Sequence, residues 1–338
     1  MKNMNFKSLA TAAIVTMGLT GQTAQAEEAG YILATASTGG TYYPVGVAIS
    51  TLVKVKLQPK QKIAMAAINS AGSGENVRLL RENEAQFAIL QGLFGFYAAS
   101  GTGPLANEGP QEGLRSVTML WQNVEHFAVG SDAVKTGTVD DFLALKGENV
   151  AIGKQNSGTI GSNTAILAGL GVSADTDYSL VHAGYGPSAE ALQNGQVEGV
   201  SIPAGVPVGA ISQMMASMGD DVKLLDFTDE QMAKADGGRD LWTRYVIPAG
   251  TYPGQAADVN TIAQPNFLAA RSDLSDENVY LITKTIYENL PFLQAIHPAT
   301  KAMAIEKAIA GLPLPLHPGA ARYYQEVGVT IPDRLIAK

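Results

Sequence analysis

The sequence has no cysteine, only four histidines and no long apolar run beyond its N-terminal region, and each absence excludes a class of protein. Without cysteine, the 338-residue chain cannot form disulfides, thiolate metal sites or a cysteine nucleophile. The histidines lack the spacing of metal ligands; they are His126, His182, His297 and His317. No later segment reaches the roughly eighteen consecutive apolar residues of a membrane-spanning helix. We therefore expect a fold stabilised by its core, with no metal and no cofactor.

The N-terminal region is typical of a secretory signal peptide. Lys2 and Lys7 provide a basic start, residues 9–19 are mostly apolar, and Ala24-Gln25-Ala26 is a small-x-small cleavage site. Cleavage after Ala26 would leave 21 basic and 31 acidic residues, which is a net charge of −10. That charge argues against nucleic acid or anionic lipid as a partner. We expect an exported protein that does not insert into a membrane.

Polar, glycine-rich loops follow three short apolar segments that are predicted strands. The loops are residues 37–46 after the strand at 31–34, residues 69–76 after the strand at 63–68, and residues 154–162 after the strand at 149–153. Each loop precedes a helical pattern, and the first-turn N–H groups of a helix, together with its dipole, favour a bound anion. For the first loop, an ordinary turn capped by Ser37 or Thr38 is the structural alternative.

The order of strand, loop and helix occurs in both halves of the chain, which predicts an α/β fold of two lobes. Each lobe would be a mainly parallel sheet flanked by helices, and crossing strands would form the hinge. The predicted division is a signal peptide at 1–26, a first lobe at 27–122 and 248–338, and a second lobe at 123–247. Helical periodicity continues late in the chain, over 276–292 and 301–309.

Five motifs, in order along the chain, resemble those of the TAXI family of TRAP transporter solute-binding proteins. They are Gly39-Gly40-Thr41-Tyr42-Tyr43-Pro44-x-Gly46, Ser70-Ala71-Gly72-Ser73-x-Glu75-Asn76, Ser157-Gly158-Thr159, Val279-Tyr280-x-Ile282-Thr283-Lys284 and Leu316-His317-Pro318-Gly319-Ala320-x-Arg322-Tyr323-Tyr324. The resemblance covers essentially the whole chain after the leader. It implies a monomeric periplasmic receptor of the two-lobed, type II-like binding-protein fold. Such a receptor closes on a small anionic solute and delivers it to the membrane-embedded subunits of a sodium-driven TRAP transporter.

The family's ligand contacts can be carried over residue by residue. The resemblance assigns first-lobe contacts to Ser37, Gly40, Thr41, Tyr42, Ser70, Ser73, Asn76 and Gln91. It assigns second-lobe contacts to Asn156, Ser157, Gly158, Thr159, Tyr185 and Pro203. The sequence departs from the family at Leu93, two positions after Gln91, where many relatives carry Asp. Any ligand contact by that Asp is therefore missing here.

The class of acid depends on whether a carboxylate reaches the ligand. Characterised relatives favour glutamate-like and other small organic acids, and an ammonium group would need an acceptor because a buried unpaired charge is costly. The candidate acceptors are Glu75, in the second loop, and Glu125, in the predicted crossing strand. Glu75 could instead accept from nearby backbone N–H groups, and Glu125 could form a hinge salt bridge or lie at the surface. If neither faces the cleft, a 2-oxo acid such as 2-oxoglutarate fits better; a dicarboxylate is a further candidate.

Two other functions compete with a transport receptor. An enzyme is disfavoured because the loop at 154–159 lacks the Gly-Lys-Ser/Thr ending of a phosphate loop, and no Gly-x-Ser-x-Gly elbow is present. We therefore expect no catalytic residues. A periplasmic sensor that presents bound solute to a signalling partner would use the same binding chemistry, so the sequence does not separate it from an uptake receptor.

Overall fold

The computed structural model describes Met1 and residues 28–337. The predicted signal peptide, apart from Met1, and its cleavage site lie outside the described residues. The strands are β1 (Ala29–Ala34), β2 (Ile63–Ile68), β3 (Phe87–Gln91), β4 (Leu114–Val124), β5 (Phe127–Gly130), β6 (Asn149–Ala151), β7 (Ser179–Leu180), β8 (Gly199–Ser201), β9 (Val222–Leu224), β10 (Thr243–Ile247) and β11 (Val259–Arg271).

Helices alternate with these strands along most of the chain. They are α1 (Tyr42–Gln61), α2 (Ser73–Arg81), α3 (Gly92–Ser100), α4 (Val139–Leu143), α5 (Gly158–Gly169), α6 (Ala174–Asp177), α7 (Tyr185–Gln193), α8 (Gly209–Met218), α9 (Asp229–Asp236), α10 (Asp276–Glu288), α11 (Leu290–Ile296) and α12 (Pro318–Glu326). In the described part of the chain, no helix combines the length and the apolar character needed to cross a membrane.

The strands form two mixed sheets. The first has the order β10-β11-β3-β1-β2, with β4 also paired to β11, and the second has the order β7-β6-β8-β5-β9. In both sheets the strands that lead into polar loops are parallel, as in β1–β2, β1–β3, β6–β7 and β6–β8. The remaining pairings are antiparallel; they are β10–β11, β11–β3, β11–β4, β5–β8 and β5–β9. The predicted two-lobed α/β class is confirmed, with more antiparallel pairing than expected.

Separate hydrophobic clusters stabilise the two lobes. One cluster lies around the first sheet and includes Val45, Ile49 and Phe87. Two others cover the second sheet, one around Val200 and Met214 and one around Phe127, Phe142 and Ile166. The long strand β11 contributes its early residues to the second-lobe clusters and its later residues to the first-lobe cluster. The strand therefore joins the two lobes as part of both cores.

Two late helical predictions are wrong in detail. The pattern at 276–292 splits into α10 and α11 at Asn289, because the ring of Pro291 would clash with a carbonyl of the preceding turn. The segment 301–309 contains the end of one 3-10 turn, Pro298–Ala302, and the whole of another, Ile305–Lys307, instead of one α-helix. Met303 and Ala304 between them are extended, and the carbonyl of Ala308 accepts from the Met119 N–H at 2.7 Å. Pairing with β4 therefore replaces helical hydrogen bonds.

Candidate functional site

A small cavity lies where the loops of the two lobes meet. Its volume is about 30 Å³, and it is lined by Ala36, Ser37, Gly40, Thr41, Tyr42, Ala71, Gly72, Ser73, Gln91, Asn123, Gly158, Thr159, Tyr185, Pro203 and Ala204. Ten of the fourteen predicted ligand contacts are in this lining: Ser37, Gly40, Thr41, Tyr42, Ser73, Gln91, Gly158, Thr159, Tyr185 and Pro203. The structure thus brings together residues that are separated by up to 166 positions in the sequence.

Several helices begin at this cavity. The first turns of α1, α2, α5 and α7 contribute Tyr42, Ser73, Gly158 and Tyr185 to the lining, and the residue before α3 is Gln91. First-turn N–H groups have no partner within their own helix, and each helix dipole adds a partial positive charge at the same end. These helix ends favour a negatively charged group, although no cationic side chain is in the described lining.

Glycine allows the two lobes to approach closely at the cavity. A Cβ atom at Gly40 would lie 2.9 Å from the ring of Tyr185, and one at Gly158 would lie 2.8 Å from Gln91 Nε2 and Ser73 Oγ. Real Cβ atoms do not tolerate such distances, so either position requires glycine in this arrangement. Gly40 and Gly158 are therefore explained by packing between the lobes.

Hydrogen bonds also cross between the lobes. The hydroxyl of Thr41 donates to the carbonyl of Gly205 at 3.0 Å, and the N–H of Glu75 donates to the carbonyl of Asn156 at 2.9 Å. The first loop therefore contacts the turn after β8, and the second loop contacts the third loop beside the cavity. The structure shows the lobes closed against each other.

Buried hydroxyl groups line both sides of the cavity. The hydroxyl of Tyr42 donates to Asn266 Oδ1, and that of Tyr185 donates to the carbonyl of Pro203. Thr159 Oγ1 lies 2.9 Å from the Tyr185 oxygen and must be the donor, because Tyr185 has given its only proton to Pro203. Burial raises the pKa of both tyrosines far above the usual value, so both remain protonated donors.

Four predicted contacts lie outside the lining. Asn76 is fully buried, and its Nδ2 donates to the carbonyls of Thr35 and Ile89 at 2.8 and 2.9 Å. Ser70 donates to the same Thr35 carbonyl at 3.0 Å. These two side chains therefore fix the second loop to the ends of β1 and β3, which leaves them no direct access to the cavity.

Asn156 and Ser157 lie outside the cavity, beside the contact between the second and third loops. Asn156 adopts a left-handed conformation with φ of 59°, and the Ser157 hydroxyl caps α5 by accepting from the Ile160 N–H at 3.1 Å. Both residues line a neighbouring outer groove, and neither is part of the cavity lining. Ser157 thus positions the start of α5, while Gly158 and Thr159 face the cavity.

Neither candidate ammonium acceptor is in the cavity lining. Glu75 lines the outer groove, and its Oε2 accepts from the N–H of Ala71 at 2.5 Å, which is the structural alternative considered for it. Its Oε1 lies 3.9 Å from Arg78. The predicted loop position was wrong in detail, because α2 begins at Ser73 and Glu75 lies in its first turn. The side chain accepts from a backbone N–H of the preceding loop.

Glu125 lies between β4 and β5 and is fully buried. Trp242 Nε1 donates to its Oε1 at 3.4 Å, while its Oε2 has no hydrogen-bond partner among the described residues. Burial raises the pKa of this carboxyl to about 8, so at neutral pH it is mostly uncharged. Neither the predicted salt bridge nor the surface position is found, because the site is apolar and enclosed.

The sequence analysis missed five lining residues: Ala36, Ala71, Gly72, Asn123 and Ala204. Asn123 is the polar one, and it lies opposite Gln264 in the pairing of β4 with β11. Its signal was the polar pair Gln122-Asn123, which follows the apolar residues 119–121 near the end of the crossing strand. The small residues carry no chemical signal of their own, because they contribute backbone and space.

A match to a family profile assigns the protein to its family. The profile described as the NMT1-like family matches residues 33–328, a range that contains every cavity residue. The chain belongs to the NMT1-like family.

Solved structures share the fold of this NMT1-like chain at low sequence identity. MatC from Rhodopseudomonas palustris with bound malate is 15% identical, with a TM-score of 0.56 over 90% of this chain and 99% of that one. The periplasmic binding protein BugD is 12% identical, with a TM-score of 0.51 over 89% and 94%. A binding-protein component of an ABC phosphonate transporter from Pseudomonas aeruginosa is 10% identical, with a TM-score of 0.51 over 80% and 78%. The shared feature is the two-lobed fold of periplasmic binding proteins.

Proposed function

We propose that this NMT1-like protein is a periplasmic receptor that captures a small organic acid between its lobes and delivers it to a TRAP-type transporter. The observation that carries the proposal is the convergence of the first turns of α1, α2, α5 and α7 on one interlobe cavity. Backbone N–H groups at such positions can stabilise a carboxylate without a cationic side chain. The proposed receptor has no catalytic residue. We propose the same lobe boundaries that the sequence predicts, with a first lobe at 27–122 and 248–338 and a second lobe at 123–247.

The ligand proposed here has no ammonium group. Glu75 accepts from backbone outside the cavity, and Glu125 lies behind the lining as a mostly uncharged carboxyl group. An ammonium group in the closed cavity would therefore lack a charged acceptor, which is costly in an enclosed site. A 2-oxo or 2-hydroxy acid fits better than a glutamate-like amino acid.

The size of the cavity also favours a small ligand. Its volume of about 30 Å³ corresponds to roughly two water molecules, since about 10–15 Å³ by this measure is needed for one. An acid of three or more carbons therefore requires the lobes to separate, and the separation needed grows with ligand size. We propose acids of few carbons ahead of long dicarboxylates.

The proposed transporter class rests on the resemblance to the TAXI family. Three of its five motifs form the loops that surround the cavity, so the resemblance is concentrated where solute would bind. One fold neighbour is a component of an ABC phosphonate transporter, so the fold alone does not select a TRAP-type transporter.

A ligand screen tests the receptor function. The protein without its leader would be heated with 2-oxo acids, 2-hydroxy acids, dicarboxylates and amino acids, and hits would be measured by isothermal titration calorimetry. A ligand at 100 times its Kd stabilises the folded state by about 2.7 kcal/mol, so we expect a clear rise in Tm for small acids without ammonium. No shift with any acid, or a larger shift with glutamate than with 2-oxoglutarate, would contradict the proposal.

The transport role needs a separate measurement. The receptor would be added to proteoliposomes that contain TRAP-type membrane subunits from the same organism. Uptake of the bound acid should require both the receptor and an inward sodium gradient. A receptor that binds the acid but supports no uptake would point to the sensor function.

A further inference from the structure

We infer that Gln91 recognises the second polar group of the ligand, and that this group is a hydroxyl, so the ligand is a 2-hydroxy acid. The inference rests on the proposed function, because it assumes that a small acid occupies the interlobe cavity. It narrows the acids named there to those with a hydrogen-bond donor beside the carboxylate.

Gln91 is held rigidly at the centre of the site. It ends β3, precedes the first residue of α3 and lies opposite Asn266 in the pairing of β3 with β11. Its backbone N–H donates to Ser73 Oγ at 3.1 Å, and its side chain is 2% exposed. The amide group is therefore positioned by two strands and by the second loop.

The amide of Gln91 presents both a donor and an unused acceptor. Its Nε2 lies against the start of α5, because a Cβ atom at Gly158 would be 2.8 Å away from it. Its Oε1 is buried and has no hydrogen-bond partner among the described residues. Buried polar atoms are nearly always paired in native proteins, and an unpaired one costs about 1–3 kcal/mol. A donor on the ligand would remove that cost.

Four of the other side chains of the cavity do not supply this donor. The hydroxyls of Thr41, Tyr42 and Tyr185 already donate to Gly205, Asn266 and Pro203. Thr159 donates to the oxygen of Tyr185. These four groups can offer only lone pairs to a ligand. These four side-chain oxygens are thus acceptors toward a ligand, and the remaining donors are the backbone N–H groups of the helix first turns and the side chains of Ser37, Ser73 and Asn123.

This pattern distinguishes a hydroxyl from a keto group. The carboxylate and the 2-hydroxyl of a 2-hydroxy acid offer an acceptor and a donor side by side, which matches Nε2 and Oε1 of one glutamine. The keto oxygen of a 2-oxo acid is another acceptor and would leave Gln91 Oε1 unpaired. A site built around a hydroxyl discriminates against an analogue that lacks it, because its polar groups are left without partners.

Matched pairs of acids test the inference by calorimetry at constant pH. The pairs are lactate and pyruvate, and 2-hydroxyglutarate and 2-oxoglutarate, with both enantiomers of each hydroxy acid. Wild-type protein should bind one enantiomer of a hydroxy acid at least about tenfold more tightly than its oxo partner, in line with the cost of one unpaired buried group.

Two variants assign the preference to one side chain. Gln91→Met keeps the length of the side chain and removes its amide, so it should bind the hydroxy and oxo acids within about twofold of each other. Gln122→Met makes the same change at a neighbouring glutamine whose Oε1 is also unpaired but which is outside the cavity lining, so it should keep the wild-type preference.

The outcomes separate the two proposals. Equal or tighter binding of the oxo acids by the wild-type protein would overturn the role of Gln91 and leave the receptor function intact. The role of Gln91 would also be overturned if Gln91→Met lost the same factor of affinity for the hydroxy acid and for the oxo acid. That result would indicate that the amides of Gln91 and Asn266 pair with each other. If no acid binds, the receptor function proposed above fails as well. If alanine and glutamate bind most tightly, the receptor function stands, but the proposal of a ligand without an ammonium group fails.

Discussion

The hydroxyl of Thr41, at the start of α1 in the first lobe, donates a 3.0 Å hydrogen bond to the carbonyl of Gly205 in the second lobe. Thr41 is 2% exposed, so this bond is shielded from water. A Cβ atom at Gly205 would lie 2.7 Å from the ring of Trp121, which shows how closely the second-lobe turn packs on β4. The contact can form only when the lobes are closed, so it should contribute to the free energy of closure.

Replacing this hydroxyl should therefore favour the open state. Thr41→Val keeps the shape of the side chain but leaves the Gly205 carbonyl without its donor, at a cost of about 1–3 kcal/mol in the closed state. We expect solute to bind about tenfold more weakly, with a larger radius of gyration for the free protein by X-ray scattering. Thr38→Val, at an exposed position of the same loop, is the control. Unchanged affinity in Thr41→Val would show that the bond does not influence closure.

Two adjacent glycines offer a sharper test of the lobe contact. A Cβ atom at Gly40 would lie 2.9 Å from the ring of Tyr185, whereas one at Gly39 would meet the nearest atom, the N of Gly186, at 3.5 Å. Gly40→Ala should therefore block full closure and weaken solute binding by about tenfold or more, while Gly39→Ala should bind like the wild type. Calorimetry on the two variants gives the comparison, and equal affinities would mean that this contact is absent when solute is bound.

Hydrophobic pattern was sufficient to locate the strands and loops of the site. The predicted strand at 63–68 matches β2, and the residues of the apolar run 87–90 lie in β3, because buried parallel strands need little information beyond their own apolar residues. The carboxyl ends of such strands then place the polar loops at one edge of each sheet. The sequence could therefore predict that these loops lie close together, and all three contribute residues to the cavity lining.

The direction of each polar side chain could not be predicted in the same way. Asn76 belongs to a glycine-rich loop and its helix, yet it donates to the carbonyls of Thr35 and Ile89. Asn163 does the same in the second lobe, where its Nδ2 donates to the carbonyl of Ile152 at 3.0 Å. A buried asparagine that fixes a strand end and one that faces a ligand look alike in sequence, since both lie just after a polar loop.

The buried carboxyl of Glu125 predicts an unusual dependence of stability on pH. Its pKa rises from 4.5 to about 8 on burial, so between these values the folded state holds a proton that the unfolded state has lost. Stability should therefore fall as the pH rises from about 4.5 to about 8. Glu125→Gln resembles the protonated group, so we expect its Tm to match the wild type near pH 4.5 and to exceed it by several degrees at pH 8. Parallel Tm curves for the two proteins would contradict this.

His126 should produce the opposite slope in the same experiment. It is buried between the carbonyls of Val124 and Ile202, and burial lowers its pKa from 6.5 to about 4. The unfolded state then binds a proton first as the pH falls, so stability decreases from about pH 6.5 to about pH 4. Because Glu125→Gln leaves His126 in place, the variant should retain this acid-side loss, which serves as its internal control.

The last prediction concerns Glu75. Its position in the sequence suggested contact with the ligand, but its side chain accepts a hydrogen bond from the backbone of the second loop. Its Oε2 accepts from the Ala71 N–H at 2.5 Å on the outer side of the loop contact, and the side chain does not line the cavity. Glu75→Gln replaces a charged acceptor by a neutral one, so we expect the free energy of unfolding to fall by about 1 kcal/mol. Affinity for an acid without ammonium should change by less than about twofold, as measured by calorimetry. A large loss of affinity confined to amino acids would instead identify Glu75 as an ammonium acceptor, and it would require the second loop to rearrange around the bound solute.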